Sequence, residues 1–252
     1  MQRKYKIILG VIAAFIILSF IKNAIVQAAI EGGISKFLPV SVRIGSTDAS
    51  FIQTRIQLKG LKVMNPAGIP DRVMADIPLV YIDFDPSGLS KHEAHFQEVR
   101  LSLKELIVIK DKNGNLNVNA LKPGANKSAA GQKEAAKPAP AGQKTSLLID
   151  KMYLSIDKVV YKDYSQGSPP FTQTFDIGIK DREFTHITNP ASIASIIMVE
   201  AIAKTTLGRI ANLDVSLFKD QAEGIFSGAM NLGGGGTQKV EETAKKLFSL
   251  FN

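Results

Sequence analysis

Few residues in this chain have both the type and the spacing that chemistry needs. His92-Glu93-Ala94-His95 suggests a metal site, but a helical zinc motif needs its two histidines at i and i+4, and these stand at i and i+3. They open an expected strand, where they would point to opposite faces and read as solvated turn residues. Asp111-Lys112-Asn113-Gly114-Asn115 has the composition of a calcium loop, yet Lys122 falls where the bidentate glutamate should stand, so a β-turn is expected. Asp83 and Asp85 flank Phe84 with no histidine beside them in sequence and read as a polar strand face ending at a turn. Gly233 to Gly236 lacks the Lys-Ser/Thr of a phosphate cradle. The chain has no cysteine, which removes thiol nucleophiles, Cys-ligated zinc and iron–sulfur clusters. The reading is therefore non-enzymatic, with no catalytic residue, cofactor or metal expected.

The element most able to decide function is the N-terminus. Arg3, Lys4 and Lys6 precede Ile7 to Ile21, a run without a charge. At ~1.5 Å per residue that run covers about 22 Å, short of a ~30 Å hydrocarbon core. The helical pattern continues to Ile30, interrupted by Lys22, Asn23 and Gln27, so residues 7–30 together are expected to span a bilayer. Gly32-Gly33 marks the end of the helix. Basic residues before the span keep the N-terminus in the cytoplasm and send residues 31–252 across. The alternative is a signal peptide cut after Ala28; the long apolar run favours a retained anchor.

The net charge of +8 is not spread over a folded surface. Residues 1–6 supply three of those charges. Residues 122–145 supply four more, with Lys122, Lys127, Lys133, Lys137 and Lys144 against Glu134. A nucleic-acid site needs a basic patch on the folded part, so no nucleic acid is expected. Residues 123–145 are Ala, Gly, Lys, Gln and Pro without a large apolar side chain, and read as a flexible linker. They divide the exported part into a first β region, 31–122, and a second, 146–252, that ends in helices.

Alternation of apolar and polar residues predicts strands at Val40–Ile44, Arg55–Val63, Leu79–Phe84 and Phe96–Leu103, then Leu106–Ile109 closed by a hairpin signal at Asp111–Gly114. After the linker come Leu147–Ile149, Leu154–Ile156, Val159–Tyr161 and Phe171–Ile179. Asn189-Pro190 reads as an N-cap and first helical residue, with helical spacing through about Ile210. Further helices are expected near Leu213 to Phe226 and Val240 to Phe251. The strands put Ile56, Leu58, Val99, Leu101, Leu103, Leu154 and Ile156 on one side, as a closed core or as an apolar groove for acyl chains.

Two stretches carry a family resemblance. One is Leu61-Lys62-Val63-Met64-Asn65-Pro66-Ala67-Gly68. The other is Asp111-Lys112-Asn113-Gly114-Asn115-Leu116-Asn117-Val118-Asn119-Ala120-Leu121, followed by a polar low-complexity insert. With the N-terminal anchor, this resembles the AsmA-like family of bacterial envelope proteins. The resemblance covers residues 1–122 well and 145–180 loosely. It implies an inner-membrane anchor and a periplasmic, half-rolled β-sheet with an apolar interior, tied to phospholipid movement or outer-membrane assembly. About 220 residues are too few to bridge a periplasm alone, so an accessory, shuttle or oligomeric segment is the expectation.

The fold expected is α+β: an N-terminal transmembrane helix (residues 1–30 with the cytoplasmic tip), a curved antiparallel sheet and a helical C-terminal part. The function expected is envelope lipid homeostasis or outer-membrane biogenesis, in the bacterial inner membrane with the bulk periplasmic. Phospholipid is the expected ligand. The alternative is a non-enzymatic assembly factor with a closed core that docks an envelope partner through Val240 to Phe251.

Overall fold

The computed structural model describes residues 22–35, 40–91, 93–122, 146–203, 205–213 and 218. The expected linker, the apolar run before Lys22, His92, the glycine run and the helices beyond Leu213 lie outside the described residues, apart from Phe218.

One curved open sheet carries the fold. Its strands are β1 (Val42–Arg43), β2 (Ser46–Ser50), β3 (Arg55–Met64), β4 (Val73–Phe84), β5 (Glu93–Lys110), β6 (Ser146–Asp163) and β7 (Phe171–Ile187). They are ordered β1-β3-β4-β5-β6-β7, with β2 pairing with β3 beyond β1. The apolar residues at alternate positions build it as expected, but the runs expected as separate short strands merge. Phe96–Leu103 and Leu106–Ile109 belong to one 18-residue strand, β5, and the three runs after the linker to another, β6.

The expectation of an antiparallel sheet is corrected at one place: β5 and β6 are parallel. The turn at Asp111–Gly114 forms, but it does not return a strand. Leu116 makes a single bridge to Lys110, and Asn117–Leu121 is a 3-10 turn. Adjacent strands that run the same way need a long crossover, and residues 111–145 supply it. β5 and β6 pair without a register shift from Glu93↔Ser146 to Lys110↔Asp163, so both present inward residues at matching positions: Val99 beside Met152, Leu101 beside Leu154, Leu103 beside Ile156.

A crease crosses the sheet. On a regular strand inward positions recur every second residue. Here Leu58 is followed inward by Leu61 in β3, Ile77 by Val80 in β4, Leu103 by Leu106 in β5 and Ile156 by Val159 in β6, all of them buried. The steps lie on neighbouring strands at nearby levels, since Leu61 pairs with Ile77 and Leu103 with Ile156. Gly60 (φ 64°) supplies the irregular backbone in β3, and Gly178 (φ 60°) does so beside the register shift between β6 and β7. An irregularity of this kind bends a strand, and a row of them curls the sheet while keeping its apolar side chains on the inner face.

Two helices pack on this sheet. Residues 22–35 form α1. The expected span over 7–30 therefore has its last part, residues 22–30, against the sheet. Asn23, Gln27 and Glu31 stand at i, i+4 and i+8 on one helix face and meet the free backbone of the edge strand. The Asn23 Oδ1 accepts from the Ala49 N–H at 3.1 Å, the Gln27 Nε2 donates to the Ile44 carbonyl at 3.0 Å, and the Glu31 Oε1 accepts from the Ile44 N–H at 3.0 Å. Side chains that occupy edge donors and acceptors leave no template for another strand. Among the described residues no helix is long and apolar enough to cross a membrane.

The second helix, α2 (Pro190–Ala203), starts as expected, with the Asn189 side chain accepting from the Ala191 N–H at 3.0 Å. It ends at Ala203, and a separate turn of helix, α3 (Leu207–Ile210), follows, so the helix expected to run through Ile210 is broken. No described side chain of α2 is exposed, which suits a helix that is apolar all round. It packs against β6 and β7.

Candidate functional site: an apolar trough

Between the inner face of the sheet, α1 and α2 lies a cavity of about 520 Å³, partly open to solvent. β3, β4 and β5 form its floor, with Leu147 and Ile149 of β6 at one margin. Ile30, Gly33 and Ile34 of α1 and Pro190, Ile193, Ala194 and Ile197 of α2 form its walls. Every described lining side chain is apolar. Such a wall offers no hydrogen bond and no charge to a polar ligand, and burying an unpaired polar group there costs several kcal/mol. The volume lies within the ~300–1,000 Å³ of small-molecule sites.

The residues expected on the apolar face divide. Leu58, Val99, Leu101 and Leu103 line the trough. Ile56 is half-buried and packs against the core beside them. Leu154 and Ile156 are fully buried on the strand that α2 packs against, and they do not line the trough. They lie on the inner face as alternation places them, but outside the described lining of the trough: which part of that face a helix covers depends on the helix. The sequence reading missed the helical walls. The α2 side chains had a usable signal, since Ile193 and Ile197 are one turn apart on a strongly apolar helix.

The far end of the trough is held by the two stretches that carry the family resemblance, which meet in space. The Asn117 Nδ2 donates to the Asn65 Oδ1 at 2.8 Å and to the Ile107 carbonyl at 2.8 Å, while its Oδ1 accepts from the Ile109 N–H at 2.8 Å. Asn65 in turn donates to the Asp71 carbonyl at 2.8 Å, closing its own turn. Leu121, just after, lines the trough. The Asp111 carboxylate accepts from the Asn113 and Asn115 N–H groups, each at 2.8 Å. Burial opposes its ionisation, but the hydrogen bonds from Asn115 and Asn113 outweigh it and hold the carboxyl below its ordinary range. These contacts are those of a β-turn.

The opposite end carries a charged cluster. His95 is not a solvated turn residue. Its Nε2 lies 2.9 Å from the Asp150 carboxylate, and its Nδ1 lies 3.3 Å from Asp85. It joins the end of β4 to β6. The hydrogen bond to Asp150 raises its pKa above the ordinary 6.5; partial burial opposes this, and the charges of Asp150 and Asp85 add to the rise. Asp83 meets the Thr54 hydroxyl at 3.1 Å. Among the described residues no group of His, Asp and Glu side chains is arranged to hold a metal ion.

A raised folded-state pKa means that the imidazolium stabilises the fold below its unfolded value near 6.5. That stability is lost as pH rises through the folded value. Thermal midpoints followed by circular dichroism from about pH 5.5 to about pH 8.5 should fall across the upper part of that range. His95→Gln should flatten that slope; an unchanged slope would remove His95 as its source. The Asp85 carboxyl is lowered chiefly by the hydrogen bond from the Ser87 N–H, so its own contribution is lost only in acid, below this window.

No protein-family model, curated protein or solved structure matches this chain, so the trough is the strongest functional evidence it offers.

Proposed function

We propose that this chain is a membrane-anchored periplasmic protein of envelope lipid homeostasis or outer-membrane biogenesis, which shelters acyl chains in the trough without catalysis. The observation that carries this reading is a 520 Å³ cavity whose described lining is wholly apolar. Each buried methylene contributes ~0.8 kcal/mol, so a dozen contribute on the order of 10 kcal/mol before the costs of ordering. The lining offers nothing to a headgroup, which stays outside. The resemblance to AsmA-like proteins agrees with this ligand class. A retained anchor suits the edge contacts, because cleavage after Ala28 would remove Asn23 and Gln27 from them.

The test is mass spectrometry of lipid extracted from residues 22–252, secreted to a bacterial periplasm and purified without detergent. A fragment begun at residue 31 would lack most of the helix that seals the sheet edge. Stoichiometric phospholipid is expected. Ala194→Trp fills the trough from α2 with apolar volume and should lower bound lipid by about tenfold or more while the circular dichroism spectrum is kept. Leu101→Asp, on the trough floor, should do the same. A folded protein that carries no lipid would overturn the carrier reading in favour of an assembly factor.

A further inference from the structure

The turn between β2 and β3 places two adjacent large apolar side chains in water, among them the most exposed one described. Ile52 is 98% exposed and Phe51 57%. The turn is nonetheless tied to the sheet by hydrogen bonds. Thr54 sits at φ 50°, its carbonyl accepts the Phe84 N–H at 2.9 Å, and its hydroxyl donates to Asp83 at 3.1 Å. The Phe51 ring meets the buried Phe84 edge-on, with centroids 6.1 Å apart. Adjacent apolar side chains turned to water on a hydrogen-bonded turn mark a contact surface.

The place where the chain enters the fold indicates what they contact. The Asn23 side chain holds the Ala49 N–H, so the start of α1 lies two residues along β2 from Phe51. Immediately before α1 stands the uncharged run Ile7–Ile21. With residues 22–30 on the sheet, the stretch left for the membrane is Ile7–Ile21, about 22 Å, which a locally thinned bilayer accommodates. Lys22 and Asn23 then lie at its surface, and the Phe51–Ile52 turn lies at the same level. Ile25, 64% exposed on the first turns of α1, adds apolar surface at this end, and the exposed Arg55 follows the turn. Apolar side chains beside a cation fit a lipid interface.

We propose that the Phe51–Ile52 turn inserts into the membrane interface beside the N-terminal segment, so that one end of the sheet rests on lipid. This rests on the anchor in the function proposed above, and not on occupancy of the trough.

The chain has no tryptophan, so Ile52→Trp in the full-length protein gives a single indole, excited at the red edge where the 5 tyrosines absorb little, at a position with almost no packing to disturb. The protein is reconstituted in vesicles of phosphatidylethanolamine and phosphatidylglycerol with a fraction of phospholipid brominated near the headgroup end of the acyl chains. Flotation of the vesicles reports the anchor separately. Phe171→Trp is the control: Phe171 is also exposed, but it pairs with Asp163 at the other end of the sheet, about 40 Å along the strands. Both variants are expected to float. The indole of Ile52→Trp should emit at shorter wavelength and lose most of its emission to bromine, while that of Phe171→Trp stays unquenched. Flotation without quenching in Ile52→Trp would overturn the insertion alone. Failure to float would overturn both the insertion and the anchor. Equal quenching in the two variants would mean that the protein lies flat on the membrane, which also overturns the end-on contact.

Discussion

Asn117→Ala is expected to destabilise the protein by about 3–5 kcal/mol. The side chain is 2% exposed and makes three hydrogen bonds of 2.8 Å, to the Ile109 N–H, the Ile107 carbonyl and the Asn65 side chain. Alanine leaves all three partners without this amide. The Ile109 N–H is the most costly of them, because Ile109 is fully buried. Each buried group left unsatisfied costs about 1–3 kcal/mol. Asn117→Asp keeps the shape but turns a buried carboxylate oxygen toward the Ile107 carbonyl and the Asn65 Oδ1, so it should cost at least as much as alanine at neutral pH. Urea unfolding followed by circular dichroism checks this through the midpoint at constant slope. The cycle with Asn65→Ala should be non-additive, because the two amides share one bond. A loss below about 1 kcal/mol would show that the contact between these two stretches is incidental to stability.

The second large effect sits where α2 crosses β7. Glu200 of α2 is 1% exposed, and its carboxylate lies 2.9 Å from the Arg182 Nε of β7. Glu200 is buried but Arg182 is 28% exposed, so taking away the cation leaves a buried carboxylate short of a partner at a cost of up to about 3–5 kcal/mol. Arg182→Met keeps an apolar stem over Phe184 but takes the guanidinium away from the carboxylate. For a chain of this size 1 kcal/mol moves the thermal midpoint by ~2–4 °C, so a fall of up to roughly 6–20 °C is expected. Arg182→Met with Glu200→Leu should recover most of it, because two apolar residues replace two charges. If the double variant is as unstable as the single one, the pair is held by its packing and not by its charge.

The sheet is largely legible in the sequence because burial on one face writes itself into alternation. Leu58, Val99, Leu101 and Leu103 can be placed on the inner face from period alone, and they are trough residues. The Asn189-Pro190 start of α2 is equally legible, since capping is local chemistry. The parallel pair is not, because partner choice across residues 111–145 is set by burial and not by any neighbour in sequence. A trace exists in the near-repeat of Leu101-Ser102-Leu103 in Leu154-Ser155-Ile156, which pair in register. The docking of α1 is hidden by its apolar setting. Asn23 and Gln27 read as interruptions of a membrane span, yet with Glu31 they form the polar stripe that seals the edge. Leu154 and Ile156 are on the inner face as alternation places them, but a strand pattern carries no information about which helix lies above it.

The parallel pairing of β5 with β6 has a consequence for how the chain reaches its native state. Every partner pair along that seam is 53 residues apart in sequence. No tight turn can start it, unlike the β3–β4 and β6–β7 pairs, which grow from short connections. The seam forms only after a long loop closes, and the entropy of that closure must be met before any contact rewards it. Until then two 18-residue strands each offer an unpaired edge, one from each part of the chain. Such edges pair with any strand they meet. Refolding yield should therefore fall as protein concentration rises, with the copies joined along β5 and β6, and a newly made chain reaches its native sheet most safely where its neighbours are few.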